Sequence, residues 1–258
     1  NLENFYAENK IDYVISHTSS DVASKAAIAA SRLHRETKTV CIQHCSDVFE
    51  DRVFHITEMD AFDYYFTMDS VSEIRFKRYA AVDYVSPCEI FQSPHFLEEV
   101  KKHCLKREER RPGEARRILY IPTKLAAVHT RYFNCMVYPI LWFLEYQRQL
   151  FQFFAKEKDY LFIYKQPILR RTFVEKTVLP VLRDIPNIKI ETRPVMDCFS
   201  LADAVIMDRP TTAFYEAQMS GLPVLALYPD FIENMIAKEA CASFGKSVQS
   251  FSTPEEAF

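Results

Sequence analysis

Residues 204–227, with the sequence AVIMDRPTTAFYEAQMSGLPVLAL, carry the pattern that decides the fold. The apolar run Ala204–Met207 is typical of a buried strand. A helical pattern begins near Thr212, and Gly221-Leu222-Pro223 marks its end before a second apolar run at Val224–Leu227. A strand, a turn, a helix and a second strand in this order predict a βαβ unit with two parallel strands.

The same alternation of apolar runs and helical periodicity extends through most of the chain. Strands are predicted over residues 12–16, 39–43, 64–67, 82–85, 117–121, 160–164, 188–191, 204–207 and 224–227. Helices are predicted over residues 21–33, 70–79, 138–156 and 212–220. This order predicts an α/β fold in which parallel sheets carry helices on both faces.

A run of charges at residues 101–117, KKHCLKREERRPGEARR, interrupts the alternation. Such a run is typical of a solvated helix and a linker. Because a shift in composition around Pro112-Gly113 is typical of a domain boundary, we predict two Rossmann-like domains over residues 1–112 and 113–258.

The composition excludes several classes of protein. Hydrophobic residues make up 48% of the chain and aromatic residues 14%, which excludes a disordered protein. No uninterrupted apolar run reaches the roughly 18 residues that a membrane-spanning helix needs. The aromatic stripe of the helix predicted over residues 138–156 favours packing in a core, with a membrane-surface role as the alternative. A net charge of -3 argues against a dedicated nucleic-acid binder.

Glycine and cysteine usage argue against two further kinds of binding site. The chain has only three glycines, Gly113, Gly221 and Gly245, which excludes the glycine-rich Walker and GxGxxG loops. Its seven cysteines lack the paired spacing of a zinc site, and reduced thiols of a cytoplasmic enzyme are the simplest interpretation.

Polar loops follow six of the predicted strands. They are residues 16–21, 43–47, 122–124, 165–167, 192–194 and 208–212. Because open α/β sheets bind ligands beyond the carboxyl ends of their strands, these loops are the candidate binding surface. The helix start at Thr211 or Thr212 predicts an anion site that needs no glycine, with Glu216 one turn further to accept ribose hydroxyls. The alternative is that the threonines only cap the helix.

Four segments resemble the GT-B glycosyltransferases. The pattern D-x-x-[ST]-T-x-x-x-E-A-x-x-x-G-x-P-V at residues 208–224 is similar to their donor-binding half. VCIQHCSD at residues 40–47 and DYYFTMDSVSEIRFKRY at residues 63–79 resemble a turn, and the segment after it, of family members that build bacterial surface polysaccharides. RILYIPT at residues 117–123 resembles the opening strand of their second domain.

The resemblance implies the GT-B fold, with two facing Rossmann-like domains, an inter-domain cleft and an active site in that cleft. It also implies metal-independent transfer, with no cofactor besides the nucleotide-sugar donor as substrate. Family members usually begin well before the first strand seen here. We therefore expect the chain, which starts at Asn1, to be part of a longer protein.

The donor is suggested by a pair of motifs. Lys165-Gln166-Pro167, followed about 40 residues later by RPTTAFYEA, resembles motifs of transferases that use CMP-activated sugars, including Kdo transferases. Gln166 stands where those motifs have His; its amide donates hydrogen bonds but does not titrate near neutral pH. The expected donor-binding residues are Thr123, Lys124, Lys165, Gln166, Pro167, Arg209, Thr211, Thr212 and Glu216.

The resemblance predicts transfer of a sugar, in its most specific form Kdo from CMP-Kdo, onto a bacterial surface glycan such as an O-antigen or capsule. A polyol-phosphate transferase that uses CDP-glycerol is one alternative. A non-catalytic module that binds a nucleotide sugar is the other. The expected partners are a nucleotide sugar and a glycan or glycolipid acceptor in the cytoplasm, without nucleic acid, and peripheral association with the inner membrane is left open.

One turn supplies the candidate catalytic residues. Asp47 is the first candidate for a general base or a nucleophile, and His44 is the second. Cys45 stands where the family turn usually has glycine, so its thiol would project towards the cleft. The alternative role of Asp47 is to cap the turn. The neighbouring loop supplies His17, Ser19 and Asp21 as acceptor-binding candidates.

Overall fold

A computed structural model shows an α/β protein. It describes residues 2–17, 22–34, 36–43, 59–68, 70–82, 88–93, 98, 113–122, 140–166, 173–208, 210–230, 245–252 and 256. The chain divides into two compact units, Asn1–Glu98 and Glu99–Phe258. The boundary predicted between residues 112 and 113 adjoins residues outside the described part, and it stays a prediction.

The first unit contains a four-stranded parallel sheet in the order β1-β2-β3-β4. Its strands are β1 (Tyr13–Ser16), β2 (Lys38–Ile42), β3 (Tyr64–Thr67) and β4 (Glu89–Gln92). Its helices are α1 (Leu2–Asn9), α2 (Val22–Leu33) and α3 (Ser70–Val82). Consecutive strands are neighbours in the sheet, so their carboxyl ends lie side by side along one edge.

The core of the first unit lies on one face of this sheet. Cys41, Tyr65 and Ile90 are aligned across β2, β3 and β4, and all three are buried. Helix α2 adds Ile28 and helix α3 adds Phe76, whose ring packs edge-on against Tyr65 at 5.1 Å. The apolar stripes of the two helices therefore cover the same side of the sheet.

The second unit contains a six-stranded parallel sheet in the order β10-β9-β8-β5-β6-β7. Its strands are β5 (Arg116–Ile121), β6 (Tyr160–Lys165), β7 (Ile188–Glu191), β8 (Ala204–Met207), β9 (Val224–Pro229) and β10 (Val248–Phe251). Its helices are α4 (Ile140–Lys156), α5 (Phe173–Arg183), α6 (Val195–Phe199) and α7 (Thr212–Met219). The strand order runs outward from β5 to β7 and then returns to β8 on the other side of β5.

Helix α4 buries its aromatic stripe in the core of the second unit. Phe143, Leu150 and Phe154 are at most 2% exposed. The ring of Phe154 stacks on Phe162 of β6 at 3.5 Å, and Phe151 packs edge-on against Tyr120 of β5 at 6.1 Å. The predicted core packing is confirmed. Within the described part of the chain, no helix has the length and apolar character needed to cross a membrane.

Most predicted elements lie within a few residues of the observed ones. Of the strand predicted over residues 82–85, only Val82 lies among the described residues, and there the prediction was wrong. Helix α3 continues to Val82, which was predicted to open a strand, and the described strand is Glu89–Gln92. Ala80 and Ala81 sustain the helix at the point where apolar alternation appeared to begin. Helix α5, which contains Pro180, and strand β10 were not predicted. Helix α7 ends as predicted, with Gly221 in the left-handed conformation at a φ of 70°.

Asn187 ties the end of helix α4 to the start of β6. Its Nδ2 donates to the carbonyl oxygens of Phe154 at 2.7 Å, Glu157 at 3.0 Å and Tyr160 at 3.3 Å. The last carbonyls of a helix have no partner within the helix. The Asn187 amide therefore satisfies carbonyl groups of the turn between α4 and β6, which sets the position of α4 against the sheet.

Asn187→Asp should destabilise the second unit because a carboxylate oxygen replaces the donor and faces three carbonyl oxygens. We expect the Tm to fall by about 5 °C, since a lost buried hydrogen bond costs about 1–3 kcal/mol in a protein of this size. Thermal unfolding monitored by circular dichroism checks the prediction.

Asn9→Asp is the matched control. The Nδ2 of Asn9 also donates to a helix carbonyl, that of Phe5 at 2.8 Å, but the pair is exposed. Its Tm should stay within about 1 °C of the wild-type value. Equal losses in the two variants would contradict the role of Asn187.

Candidate functional site

The carboxyl ends of four neighbouring strands in the second unit form one polar edge. Strands β8, β5, β6 and β7 are adjacent and parallel, so the loops that follow them lie side by side. The return of the chain between β5 and β8 makes their ends a topological switch point, where open α/β sheets form a crevice. The four loops predicted for this unit thus share one edge.

A cavity of about 400 Å³ opens at this edge. Its walls come from the ends of β5 and β6, the start of α6 and the first turn of α7. They are formed by Ile121, Pro122, Lys165, Pro194, Val195, Met196 and Ala213. Among the described residues the walls are apolar apart from Lys165, an arrangement typical of sites that bury most of a small ligand and orient it through a few polar groups.

Lys165 is the charged residue of the cavity wall. The residue is only 5% exposed, and its Nζ donates to the carbonyl oxygen of Gln166 at 2.6 Å. Burial lowers the pKa of Lys165, and the nearby Cys198 and Glu191 oppose that shift. Because a buried ammonium loses hydration, an anion in the cavity would be favoured there.

Glu191 shapes the turn that carries the opposite wall. Its Oε1 accepts hydrogen bonds from the backbone N–H groups of Thr192 at 2.9 Å and Arg193 at 3.0 Å. Its Oε2 accepts from Nη2 of Arg193 at 2.8 Å. These donors, the Arg193 side chain foremost, lower the pKa of Glu191 to about 2. Arg193, in the polar loop at residues 192–194, is therefore engaged with Glu191.

Helix α7 begins at this edge without a side-chain cap. Thr211 has extended backbone, with φ −133°, and its side chain makes no capping hydrogen bond. Its carbonyl oxygen accepts from the N–H of Phe214 at 2.9 Å. Thr211 therefore occupies the N-cap position but gives the helix no side-chain hydrogen bond. Glu216 is half-buried on the same helix, and burial raises the pKa of Glu216.

A buried polar pair lies beneath this edge. Oη of Tyr120, on β5, donates to Oδ1 of Asp208 at 2.6 Å, and Asp208 is 1% exposed at the end of β8. Nε2 of Gln147, on α4, donates to the same Tyr120 oxygen at 3.4 Å. Burial raises the pKa of Tyr120 well above its usual value, and the charge of Asp208 adds to the shift. Sequence reasoning missed this pair, although a tyrosine inside the apolar run RILYI was a signal for it.

In the first unit, Gln43 fixes the end of β2. Its backbone N–H donates to the carbonyl oxygen of Phe66 at 2.9 Å, and its Oε1 accepts from the N–H of Met68 at 2.9 Å. The buried side chain therefore joins the carboxyl ends of β2 and β3 immediately before the turn predicted to be catalytic.

The structure places some of the predicted site residues. Lys165, Gln166, Thr211, Thr212 and Glu216 lie at the edge of the second sheet, and His17 is exposed at the end of β1 in the first unit. The N–H of Gln166 donates to the carbonyl oxygen of Glu191 at 2.9 Å. Ser19, Asp21, His44, Cys45, Asp47, Thr123, Lys124, Pro167 and Arg209 lie outside the described residues.

Solved structures share this architecture. A protein from Listeria monocytogenes assigned as a UDP-N-acetylglucosamine 2-epimerase aligns with a TM-score of 0.62 and 17% identity, over 98% of this chain and 65% of that chain. UDP-N-acetylglucosamine 2-epimerase from Rickettsia bellii aligns with a TM-score of 0.62 and 17% identity, over 99% and 65%. The pneumococcal O-GlcNAc transferase GtfA, in complex with UDP and GlcNAc, aligns with a TM-score of 0.52 and 10% identity, over 89% and 44%.

These similarities confirm the predicted GT-B fold class, built from Rossmann-like α/β units. The chain spans 65% of the two epimerase structures and 44% of the transferase. No protein-family model matches the chain, and no curated protein matches it in sequence.

Glu191→Gln should lower the stability in a pH-dependent way. The folded protein lowers the pKa of Glu191 from 4.5 to about 2, so the carboxylate stabilises the fold above about pH 4.5. That contribution is lost as the pH falls towards 2. We expect the Tm of the variant to be about 4 °C below wild type at pH 7, and the difference to vanish near pH 2.

Glu145→Gln is the matched control for this experiment. Hydrogen bonds from Arg148 and Gln149 also lower the pKa of Glu145 to about 2, but this carboxylate is on the surface. Exposed pairs contribute little, so its Tm should change by less than about 1 °C at either pH. A pH-independent loss in the Glu191 variant would show that lost packing, rather than charge, is responsible.

Proposed function

We propose that the chain forms part of a GT-B glycosyltransferase that binds a nucleotide-sugar donor at the carboxyl edge of the second sheet. The observation that carries this proposal is the cavity at the switch point, which brings Lys165 and the start of helix α7 to one apolar pocket. The way in which this site would hold the donor follows from the chemistry of these groups.

The site suits a nucleotide phosphate. The first N–H groups of α7 and the Lys165 ammonium are positive ends that can face an anion from two sides. Both would stabilise the negative charge that develops on a departing nucleotide phosphate. The apolar walls fit the flat face of a base or the carbon skeleton of a ribose. Glu216, one turn further along α7, is the proposed acceptor for ribose hydroxyls.

In its most specific form, the proposal is that Kdo is transferred from CMP-Kdo to a bacterial surface glycan, such as an O-antigen or capsule. The support for CMP is the resemblance of Lys165-Gln166-Pro167 and RPTTAFYEA to the motifs of CMP-sugar transferases. UDP is the competing nucleotide, because two of the similar structures are assigned as UDP-N-acetylglucosamine 2-epimerases and the third is a transferase in complex with UDP. No observation favours the CDP-glycerol alternative or the non-catalytic module over this proposal.

The proposed reaction is substitution at the anomeric carbon. With Asp47 as general base, its carboxylate takes the proton of the acceptor hydroxyl, whose oxygen then forms a bond to that carbon. The bond from the carbon to the phosphate oxygen breaks, and the nucleotide leaves with the electron pair. With Asp47 as nucleophile, its carboxylate oxygen first forms the bond to the anomeric carbon, and the acceptor oxygen then displaces the carboxylate. His44 is the second candidate for the base.

A thermal-shift screen of the full-length protein with CMP, CDP, UDP and GDP tests the donor site. A ligand that binds the folded state raises the Tm by mass action, and we expect CMP to give the largest rise. Lys165→Met should weaken CMP binding about tenfold, because it removes a charged hydrogen-bond donor from the wall. Lys189→Met, at an exposed position on neighbouring β7, should leave the Kd within about twofold.

A rise with UDP alone would contradict the CMP donor and keep the nucleotide site. If none of the four nucleotides raises the Tm, the proposed donor site is wrong. Equal affinities of the two lysine variants would contradict the role of Lys165.

Asp47→Asn should separate an enzyme from a binding module. We expect turnover of CMP-Kdo, measured as released CMP, to fall by about a hundredfold or more, because the general base or nucleophile is lost. CMP affinity should stay within about twofold. Asp51→Asn, in the same segment, is the control and should retain activity. Undiminished turnover in the Asp47 variant would exclude its catalytic role.

A further inference from the structure

Two buried tyrosines occupy equivalent positions on neighbouring strands. Tyr120 of β5 is aligned with Tyr164 of β6, and aligned residues of parallel strands point to the same face. Each is 1% exposed, and their ring centroids are 6.0 Å apart. They differ in their hydrogen bonds: the Tyr120 hydroxyl bonds to Asp208 and Gln147, whereas the Tyr164 hydroxyl has no hydrogen-bond partner among the described residues.

The Tyr120 hydroxyl bridges three elements. It accepts from Gln147 of helix α4 at 3.4 Å and donates to the Asp208 carboxylate at 2.6 Å, a short distance typical of a charge-assisted bond. Asp208 follows β8, across the switch point from β5. The hydroxyl therefore connects the covering helix, the central strand and the end of β8.

The connection ends close to the start of helix α7. In the chain, Arg209 and the buried Pro210 lie between Asp208 and Thr211, the N-cap residue of α7. A proline has a nearly fixed φ, which removes part of the backbone freedom between the carboxylate and the first turn of the helix. Holding the Asp208 side chain therefore restricts where the N–H groups of that turn can lie.

We propose that Tyr120 and Asp208 are positioning residues that hold the start of helix α7 in place for the donor phosphate. The role at the phosphate rests on the proposed function, whereas the restraint of the helix start does not. Neither residue contacts the donor in this proposal. Their effect is transmitted along the chain from Asp208 to the start of helix α7.

Tyr120→Phe and Tyr164→Phe form a matched pair, because each removes one hydroxyl from the same buried face. Hydrogen exchange of the full-length protein, measured by mass spectrometry on peptides covering residues 208–216, reports on the restraint of the start of helix α7 without any ligand. We expect Tyr120→Phe to speed exchange in this segment about tenfold, and Tyr164→Phe to leave it within about twofold of wild type. Equal exchange in the two variants would overturn the proposal.

Titration with CMP measures the effect of the restraint on nucleotide affinity. Tyr120→Phe should raise the Kd about tenfold, and Tyr164→Phe should leave it unchanged within about twofold. Asp208→Asn keeps an oxygen that accepts from the Tyr120 hydroxyl, so it should retain most of the affinity that Asp208→Ala loses. If Asn and Ala at position 208 are equally impaired, the hydrogen bond is not what positions the turn.

The two proposals fail in different ways. A wild-type protein that binds none of the four nucleotides would contradict the donor site, while faster exchange in Tyr120→Phe alone would still support the restraint. A wild type that binds CMP, with equal exchange and equal Kd in the two tyrosine variants, would overturn the restraint and leave the donor site standing.

Discussion

The reversal of strand order between β5 and β8 is the constraint on which the rest of the second unit depends. It separates the connection that follows β5 from the connection that follows β8, and the gap between them becomes a crevice. Every feature of the candidate site is set relative to this gap. Lys165 lies at the end of β6 on one side of β5, and the first turn of α7 follows β8 on the other. The hydrogen bond from Tyr120 to Asp208 joins β5 to the end of β8 at the same gap.

Among the described residues, three charged groups are buried at this edge, and each is compensated differently. Glu191 is satisfied by backbone and guanidinium donors, and Asp208 by a tyrosine hydroxyl. The ammonium of Lys165 donates to a backbone carbonyl, a weaker partner than a carboxylate. Buried charges are costly unless they are paired. Lys165 is therefore the group whose environment an anionic ligand would improve most.

Local sequence predicted the strands well, since apolar runs such as Ile188–Glu191 and Ala204–Met207 coincide with the observed bounds. It also predicted that Lys165 and the start of α7 belong to one edge, because carboxyl ends of parallel strands meet. The strand predicted at Val82 failed because a few apolar residues fit either a strand or the end of a helix. The engagement of Arg193 by Glu191 and the bond from Tyr120 to Asp208 depend on side-chain geometry, which periodicity does not encode.

The three glycines have a consequence for how the site meets a ligand. All three adopt left-handed backbone, at φ values of 86°, 70° and 54°, in positions away from the four loops of the donor edge. Each of those loops contains a proline instead: Pro122, Pro167, Pro194 and Pro210. Glycine-rich phosphate loops gain close backbone approach at the expense of conformational entropy. Proline-containing loops have fewer conformations to lose, so less of a ligand's binding free energy would be spent on ordering them.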